Sequence, residues 1–153
     1  MLENLPVPAF EAAATGGTTV SVASQAGRPF VLYFYPKDNT PGCTDEGVQF
    51  RDLNAQFQAA DCDVYGVSRD SLKSHEGFKA KMSFPFELIS DPDETLCQMF
   101  GVIKMKNMYG KQVRGIERST FLIDGKGVVR KEWRGVKVPG HAQAVLDELL
   151  RLG

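Results

Sequence analysis

Residues 29–43 read PFVLYFYPKDNTPGC and decide the fold. The first seven of them, residues 29–35, are apolar, aromatic or β-branched without alternation, which is typical of a central strand covered on both faces. A loop with two prolines follows at residues 36–41, and residues 42–57 carry apolar side chains near helical spacing. The segment predicts a strand, a proline-containing loop and a helix, with Cys43 at the start of that helix.

The rest of the chain alternates strands and helices around this segment. Residues 5–8, LPVP, read as an extended lead-in because proline restricts its own backbone and that of the residue before it. The remaining patterns predict a hairpin of Phe10–Ala14 and Thr18–Val22, strands at Asp63–Ser68 and Glu87–Ser90, helices at Ser71–Met82, Asp93–Phe100 and His141–Leu152, and a second hairpin of Arg118–Asp124 and Val128–Trp133.

This order predicts an α/β fold, a three-layer sandwich in which a mixed β-sheet carries helices on both faces. The order is compatible with a thioredoxin-like fold, although periodicity alone does not separate it from other three-layer folds. A chain of 153 residues is close to the common size of one domain, so we expect residues 1–153 to form a single domain.

Composition and charge exclude several classes of protein. Hydrophobic residues make up 42% and charged residues 24%, as in ordinary globular proteins rather than disordered ones. With 18 basic and 19 acidic side chains the net charge is -1, so no overall field favours nucleic acid or an anionic membrane. The first ten residues lack a signal-peptide pattern, and no stretch approaches the roughly 20 apolar residues of a membrane span. We therefore expect a cytoplasmic protein without nucleic-acid or membrane partners.

The three cysteines, Cys43, Cys62 and Cys97, form neither a CxxC pair nor a zinc-ligand spacing. The chain also lacks a phosphate-binding P-loop and a GxGxxG motif after a strand. We expect no metal, flavin or nucleotide cofactor, so the chemistry would fall to the protein's own side chains.

Cys43 stands at the first turn of the predicted helix, directly after the strongest strand. Unpaired N–H groups and the positive end of the helix dipole stabilise a thiolate there. Thr40 offers a hydroxyl that can accept a hydrogen bond or donate one to a bound oxygen, and Pro41 can occupy the turn without wasting a donor. A lone cysteine is usually a buried, unreactive side chain. The small and polar neighbours at residues 42–46, GCTDE, favour a reactive thiol instead.

The spacing of Pro36, Thr40 and Cys43 resembles the active-site signature of the peroxiredoxins, in which proline is followed after three residues by Thr or Ser and after two more by Cys. The longer strings YFYPKDNTPGCTDEGVQFRDL, LISDPDETLCQMFGV and GIERSTFLID are similar to the bacterioferritin-comigratory-protein (BCP) or PrxQ subfamily. The resemblance spans Phe30 to about Leu150. It implies a thioredoxin-like fold and a thiol-dependent peroxidase that reduces hydrogen peroxide and organic hydroperoxides in antioxidant defence and cell redox homeostasis.

By this resemblance Cys43 is the peroxidatic cysteine, which attacks a peroxide oxygen and becomes a sulfenic acid. Thr40 and the N–H groups near Gly42 and Cys43 would bind the peroxide, and Arg118 would stabilise the thiolate and the developing charge. Charge spacing alone favours the alternative that Arg118 pairs with its neighbour Glu117 at the surface.

Further residues are supporting candidates by the same resemblance. Glu46 and Arg51 match recurring subfamily positions and would connect the active-site turn to Arg118 through ion pairs, or else they form a solvated helix face. The supporting candidates are Pro36, Pro41, Gly42 and Glu46.

A sulfenic acid must be reduced by a second thiol, and the two positions that carry it in many PrxQ proteins hold Val48 and Lys79 here. Cys62 alternates with Val64 on a predicted strand, which indicates a core position. Cys97 lies among apolar residues of a short helix and is the alternative resolving thiol. We therefore predict a one-cysteine mechanism in which thioredoxin, glutaredoxin or a small thiol reduces the sulfenic acid.

Other polar residues match no catalytic pattern. His75 and His141 lie in polar stretches and are predicted at the surface, whereas Trp133 is expected to pack under the last helix. By resemblance, the basic stretch Lys104–Arg114 is interpreted as a loop near the active-site mouth that recruits a reductant or shields the thiol; a nucleic-acid patch is the disfavoured alternative.

Two other functions compete with a peroxidase. A thiol–disulfide oxidoreductase of the same fold needs a nearby partner thiol, so the missing CxxC disfavours it. A non-enzymatic redox sensor or holdase would contain a Cys43 that reacts with peroxide no faster than free cysteine. The subfamily resemblance further implies a monomer, with a weak dimer as the alternative.

Overall fold

A seven-stranded mixed sheet forms the middle layer of the computed structural model, which describes residues 1–153. The strands of the chain are β1 (Glu11–Ala14), β2 (Thr18–Ser21), β3 (Phe30–Phe34), β4 (Asp63–Ser68), β5 (Leu88–Ser90), β6 (Ile103–Met108), β7 (Lys111–Ile116), β8 (Ser119–Ile123) and β9 (Val129–Arg134). The order in the large sheet is β2-β1-β5-β4-β3-β8-β9, and β6 pairs only with β7. β3 is parallel to β4 and antiparallel to β8, so the sheet is mixed, as predicted.

Four helices cover the two faces of this sheet: α1 (Pro41–Ala59), α2 (Leu72–Met82), α3 (Thr95–Met99) and α4 (His141–Leu152). Phe50 of α1, Phe78 of α2 and Leu146 of α4 share one hydrophobic core. Leu96 of α3 belongs to a second core, together with Val7 of the N-terminal lead-in. The predicted three-layer α/β arrangement is confirmed. None of the helices combines the length and the apolar character needed to cross a membrane.

β3 separates the two cores because alternate side chains of a strand point to opposite faces. Phe30, Leu32 and Phe34 pack into the core that contains α3, whereas Val31 and Tyr33 pack into the core that contains α1. All five residues of β3 are buried. Burial of a side chain of this size contributes about 1.5–3 kcal/mol, so this strand stabilises both layers at once.

Most predicted strands and helices are confirmed with small shifts at their ends. α4 spans the predicted residues, and α1 begins one residue early, at Pro41, because proline is favoured at the first position of a helix. α3 is shorter than predicted. Asp91 rather than Asp93 caps it, accepting hydrogen bonds from the backbone N–H groups of Leu96 and Cys97 at 3.0 and 2.8 Å.

Both predicted hairpins form. β1 and β2 are joined through a turn in which Gly16 and Gly17 have positive φ angles of 73° and 67°, which glycine adopts at little cost. β8 and β9 pair in antiparallel fashion around a turn that contains Gly127, whose φ angle is 79°. The lead-in is extended, and Pro6 forms an isolated bridge with Val128 beside this second hairpin.

The stretch Lys104–Arg114 is not a loop, which corrects the sequence-based interpretation. It forms most of the antiparallel hairpin of β6 and β7. Tyr109 and Gly110 make the turn with φ angles of 54° and 79°, the positive values that a type I′ hairpin turn requires. Met105 and Met108 are exposed, so the hairpin lacks the buried face whose alternation would have indicated its strands.

The prediction that His75 and His141 lie at the surface is wrong, because both are buried. His75 shares the buried side of α2 with Phe78, and His141 shares the buried side of α4 with Val145. A spacing of three or four residues to an apolar side chain is the signal that indicates this placement. Trp133 packs edge-on against His141 with ring centroids 5.8 Å apart, which confirms its predicted place beside the last helix.

Candidate active site

Cys43 occupies the first turn of α1, two residues after Pro41. Thr40 precedes the helix with an extended backbone, and its carbonyl oxygen accepts a hydrogen bond from the N–H of Thr44 at 2.9 Å. The first N–H groups of a helix have no partner within the helix, and the dipole favours negative charge there. Since Cys43 is only 2% exposed, a thiolate at this position depends on donors from the protein rather than from bulk water.

Arg118 connects the thiol of Cys43 to a buried carboxylate. Its Nη2 donates to Cys43 Sγ at 3.5 Å, and its Nη1 donates to Glu46 Oε1 at 2.6 Å. Cys43 and Glu46 are three residues apart on α1 and therefore share a helix face. The planar guanidinium spans both groups with separate nitrogens. Arg118 thus pairs with Glu46 and not with Glu117.

Burial and mutual attraction shift the pKa values of Glu46 and Arg118. Burial raises the pKa of Glu46 to about 7, although the charge and the hydrogen bond of Arg118 oppose the shift. Burial lowers the pKa of Arg118, but the negative charges of Glu46 and Cys43 raise it by more, so the guanidinium stays cationic. Glu46 Oε2 has no hydrogen-bond partner, so the carboxylate is held through its other oxygen. A fixed positive charge therefore lies beside the thiol.

The hydroxyl of Thr40 was expected either to accept a hydrogen bond or to donate one to a bound oxygen, and the structure leaves only the accepting role. Thr40 Oγ1 donates its proton to the carbonyl oxygen of Lys37 at 2.8 Å. Its oxygen is left to accept a hydrogen bond from a peroxide O–H, so Thr40 is an acceptor rather than a donor toward a bound peroxide. Gly42 matters through its size, because a Cβ there would lie 3.1 Å from Nη2 of Arg118.

The other two thiols lie far from Cys43 in the fold. Cys62 follows the C-terminal end of α1, and at about 1.5 Å per residue the helix puts roughly 24 Å between Cys43 and Ala59 along its axis. Cys97 is fully buried in the core on the opposite face of the sheet. Burial raises the pKa of Cys62 to about 12 and raises the pKa of Cys97 well above its ordinary range. Cys62 packs in the same core as Val64, which confirms the alternation inferred from the sequence.

Comparison with known proteins decides the family. A model of the AhpC/TSA family matches residues 4–132 of the chain. The chain belongs to this family. It is 55% identical over 147 residues to Peroxiredoxin Bcp of Xanthomonas campestris, which covers 95% of this chain and 92% of the relative. Two solved structures match with a TM-score of 0.89 each. One is Xanthomonas campestris Peroxiredoxin Q. The other is a trapped intermediate/ligand complex of the bacterioferritin comigratory protein from the same organism, studied for its alkyl peroxide reduction activity. Their identities are 55% and 54%, with 93% of this chain and 90% of each neighbour covered.

These similarities confirm the resemblance drawn from the motifs and the thioredoxin-like α/β fold. The protein is a peroxiredoxin of the BCP or PrxQ group, and peroxiredoxins of this group are thiol-dependent peroxidases. The reacting thiol must therefore be sought among three cysteines, and the surroundings of Cys43 differ sharply from those of the other two.

Arg51 of this peroxiredoxin does not reach Arg118, so the ion-pair expectation for Arg51 is wrong. Its side chain donates to Asp52 at 3.0 Å and to the carbonyl oxygen of Met82 at 2.9 Å. Arg51 follows Glu46 by five residues, which is more than one helical turn, so its side chain lies away from the helix face that carries Glu46. Only Glu46 connects α1 to Arg118 through an ion pair.

Asp38 matches no sequence motif that gives it a role, yet its carboxylate is buried in the active-site loop of the peroxiredoxin. Tyr35, Ser74 and His75 surround the two carboxylate oxygens within hydrogen-bond distance. The available signal was an acidic residue shortly after a buried strand, inside the loop that leads to Cys43. The partner on α2 was missed because the polar neighbours of His75 outweighed its three-residue spacing to Phe78.

Proposed function

We propose that Cys43 is the peroxidatic cysteine of this peroxiredoxin and that a thiol from outside the chain reduces its sulfenic acid. The observation that carries the proposal is the approach of Arg118 Nη2 to Cys43 Sγ at 3.5 Å, in the first turn of α1. A cation and a helix N-terminus both stabilise the thiolate, which is the nucleophilic form. Thr40 and Arg118 complete the catalytic set.

In the first half-reaction the Cys43 thiolate attacks the terminal oxygen of a hydroperoxide. An S–O bond forms as the O–O bond breaks, and the leaving oxygen takes up a proton and departs as water or an alcohol. The Thr40 oxygen accepts a hydrogen bond from the peroxide O–H, while Arg118 faces the charge that moves from sulfur onto oxygen. The sulfur is oxidised by two electrons and the peroxide is reduced by two.

The supporting residues act on this geometry. Glu46 positions Arg118 through its 2.6 Å hydrogen bond. Pro41 opens the helix without an N–H, and Pro36 begins the loop directly after Tyr35, at the end of the buried strand segment. Gly42 leaves room for the guanidinium.

In the second half-reaction an external thiol attacks the sulfenic sulfur of Cys43 and releases water, forming a mixed disulfide. A second thiol then attacks that disulfide, which frees Cys43 and yields the oxidised reductant. The external thiols supply the two electrons that the peroxide consumed. The cycle needs no second cysteine of this chain.

The locations of the remaining cysteines support external reduction. A disulfide needs Cα atoms within about 7 Å, yet Cys97 is separated from Cys43 by the sheet itself. Cys62 lies beyond the far end of α1. On α2, where other PrxQ proteins carry a resolving thiol, Lys79 forms an ion pair with Glu87 instead.

The proposal extends to partners and setting. We propose hydrogen peroxide and small organic hydroperoxides as substrates, in line with the alkyl peroxide activity of the Xanthomonas campestris relative. Thioredoxin, glutaredoxin or a small thiol would be the reductant. We further propose that residues 1–153 act as one domain, in monomeric form and in the cytoplasm, in antioxidant defence.

Intact-protein mass spectrometry tests this scheme. Wild type, Cys43→Ser, Cys97→Ser and Cys62→Ser are each treated with stoichiometric hydrogen peroxide and dimedone, without reductant. We expect a dimedone adduct on Cys43 in wild type, Cys97→Ser and Cys62→Ser, and none in Cys43→Ser. The same four proteins are then assayed for turnover with an external thiol, and only Cys43→Ser should be inactive.

The cysteine variants also separate the alternatives. Loss of two hydrogen atoms from the wild type, with a dimedone adduct only in Cys97→Ser, would make Cys97 the resolving cysteine. An adduct that persists in Cys43→Ser would move the peroxidatic role to another thiol. A Cys43 that reacts no faster than free cysteine would favour the redox sensor over the enzyme.

A further inference from the structure

Asp38 is the most densely bonded side chain of the active-site loop. Its Oδ1 accepts from Tyr35 Oη at 2.6 Å, and its Oδ2 accepts from Ser74 Oγ at 2.8 Å and faces His75 Nδ1 at 2.7 Å. Its backbone N–H donates to Asp70 Oδ2 at 2.9 Å. Burial raises the pKa of Asp38, but the hydrogen bonds of His75 and Tyr35 lower it by more, so the group is a carboxylate.

The surroundings of His75 assign two protons to its ring. Nδ1 faces the carboxylate of Asp38, and Nε2 lies 2.9 Å from the carbonyl oxygen of Ile89. Both partners only accept hydrogen bonds, so both ring nitrogens must donate. Tyr35 does not change this count, because its hydroxyl proton goes to Asp38. A buried imidazolium and a buried carboxylate thus form an ion pair between α2 and the active-site loop.

A buried pair of this kind is costly to desolvate and stabilises little in itself. It does fix geometry, because each charge is uncompensated unless its partner stays in place. Asp38 stands two residues before Thr40, which carries the hydroxyl that would contact the peroxide, and five before Cys43. Tyr35 ends the buried strand segment, so the loop is held from the sheet and from α2 at one residue.

We propose that Asp38 and His75 are positioning residues for the peroxidase reaction, and that their ion pair holds the loop of residues 36–40 in the register that places Thr40 beside Cys43. The proposal rests on the assignment of Cys43 as the peroxidatic cysteine. It concerns the oxidation step, which needs the peroxide held beside the sulfur by the accepting oxygen of Thr40 and the donors of Arg118. The reduction step needs only access of a thiol to the sulfenic sulfur, so a looser loop leaves it unimpaired.

The test uses Asp38→Asn and His75→Gln, each of which keeps hydrogen-bonding atoms but removes one charge. In single-turnover stopped-flow measurements, we expect the rate constant for oxidation of Cys43 by hydrogen peroxide to fall by about tenfold in each variant, since small misplacements of reacting groups are costly. The rate constant for reduction of the sulfenic acid by dithiothreitol should stay equal to that of the wild type or rise. The double variant should lose no more than either single one, because the two residues act as a unit.

Asp91→Asn is the matched control. Asp91 is also a buried aspartate, but it caps α3 through Leu96 and Cys97 rather than holding the active-site loop. Oxidation of Cys43 should be unchanged in Asp91→Asn at a temperature where all variants are folded. An equal fall in this control would attribute the effect to general destabilisation and overturn the proposal.

Two further readouts do not depend on activity. Hydrogen exchange of the backbone N–H groups of Asp38 and Thr44 should accelerate in Asp38→Asn and His75→Gln but not in Asp91→Asn. In the wild type, nitrogen-15 spectra should show both ring nitrogens of His75 protonated, and a neutral ring would overturn the proposed ion pair even if the variants failed to fold.

If Cys43→Ser kept peroxidase activity the proposed function would fail, whereas unchanged oxidation in Asp38→Asn and His75→Gln would refute only the positioning role.

Discussion

Glu46 accepts a hydrogen bond from Nη1 of Arg118 at 2.6 Å, which leaves Nη2 of the same guanidinium facing the sulfur of Cys43. The carboxylate of Glu46 therefore fixes the direction in which the guanidinium of Arg118 points. A lysine cannot reproduce this arrangement, because an ammonium is a single point charge on a flexible chain. The position of the second nitrogen follows from the first.

Arg118→Lys should lower the rate of Cys43 oxidation although the charge is kept. We expect a loss of about 10- to 100-fold, comparable with the removal of one donor from a preorganised anion site. Stopped-flow oxidation by hydrogen peroxide measures it. Arg51→Lys is the control, because Arg51 contacts Asp52 and the Met82 carbonyl rather than the active site. Cys43 of this variant should be oxidised at the wild-type rate. Similar losses in both variants would contradict a specific role of Arg118.

Gly42→Ala should separate activity from stability. An added Cβ would lie 3.1 Å from Arg118 Nη2. This nitrogen contacts Cys43, and Nη1 of the same guanidinium contacts Glu46, so both contacts resist the shift of a few tenths of an ångström that the Cβ demands. We expect slower peroxide oxidation in stopped-flow experiments. Alanine also stabilises a helix relative to glycine by roughly 0.5–1 kcal/mol. The slower oxidation should therefore not be accompanied by a matching fall in the free energy of unfolding.

Gly77→Ala provides the comparison for that substitution. Gly77 lies inside α2, and a Cβ there would meet no atom within 4 Å. We expect this variant to gain roughly 0.5–1 kcal/mol of stability in urea unfolding and to keep the wild-type oxidation rate. If Gly42→Ala also oxidised at the wild-type rate, the guanidinium would have room to spare.

The parts of the structure that the sequence predicted are those with a pattern of their own. The segment from β3 to α1 combines an unbroken apolar run with a proline loop, and α4 places apolar residues at helical spacing along a full dozen residues. Local signals of this kind need no knowledge of partners. The family motif added Arg118, which charge spacing alone would have paired with Glu117.

The parts that the sequence did not predict depend on tertiary placement. The β6–β7 hairpin buries almost none of its residues, so only the Tyr109-Gly110 turn could have indicated it. His75 and His141 are buried among polar neighbours in the chain. The separation of Cys97 from Cys43 by the sheet follows from the strand order, which periodicity does not contain.

Glu46 should make stability fall as the pH rises. Its pKa in the folded protein is raised from 4.5 to about 7, so the folded state holds the proton more tightly than the unfolded chain. The resulting stability is fully present below pH 4.5 and is lost as the pH rises through about 7. Between these limits the unfolding free energy of the wild type, relative to Glu46→Gln, should fall by on the order of 2–3 kcal/mol. Urea unfolding at several pH values measures this difference, and parallel curves for the two proteins would contradict it.

His141 should have the opposite dependence on pH. Burial, together with the positive charge of Arg118, lowers its pKa from 6.5 to about 4, so the folded protein keeps the ring neutral while the unfolded chain takes up a proton. The stability from His141 is therefore present above pH 6.5 and is lost as the pH falls through about 4. His141→Gln can retain a hydrogen bond to Thr120, whose Oγ1 lies 2.8 Å from the imidazole Nε2, but does not titrate. On acidification from pH 6.5 to 4, the wild type should lose stability relative to this variant by on the order of 2–3 kcal/mol. Each comparison isolates one titrating group, so the two slopes can be read separately although their pH windows overlap. A His141→Gln curve that stayed parallel to the wild type would mean that the folded protein does not lower the pKa of His141.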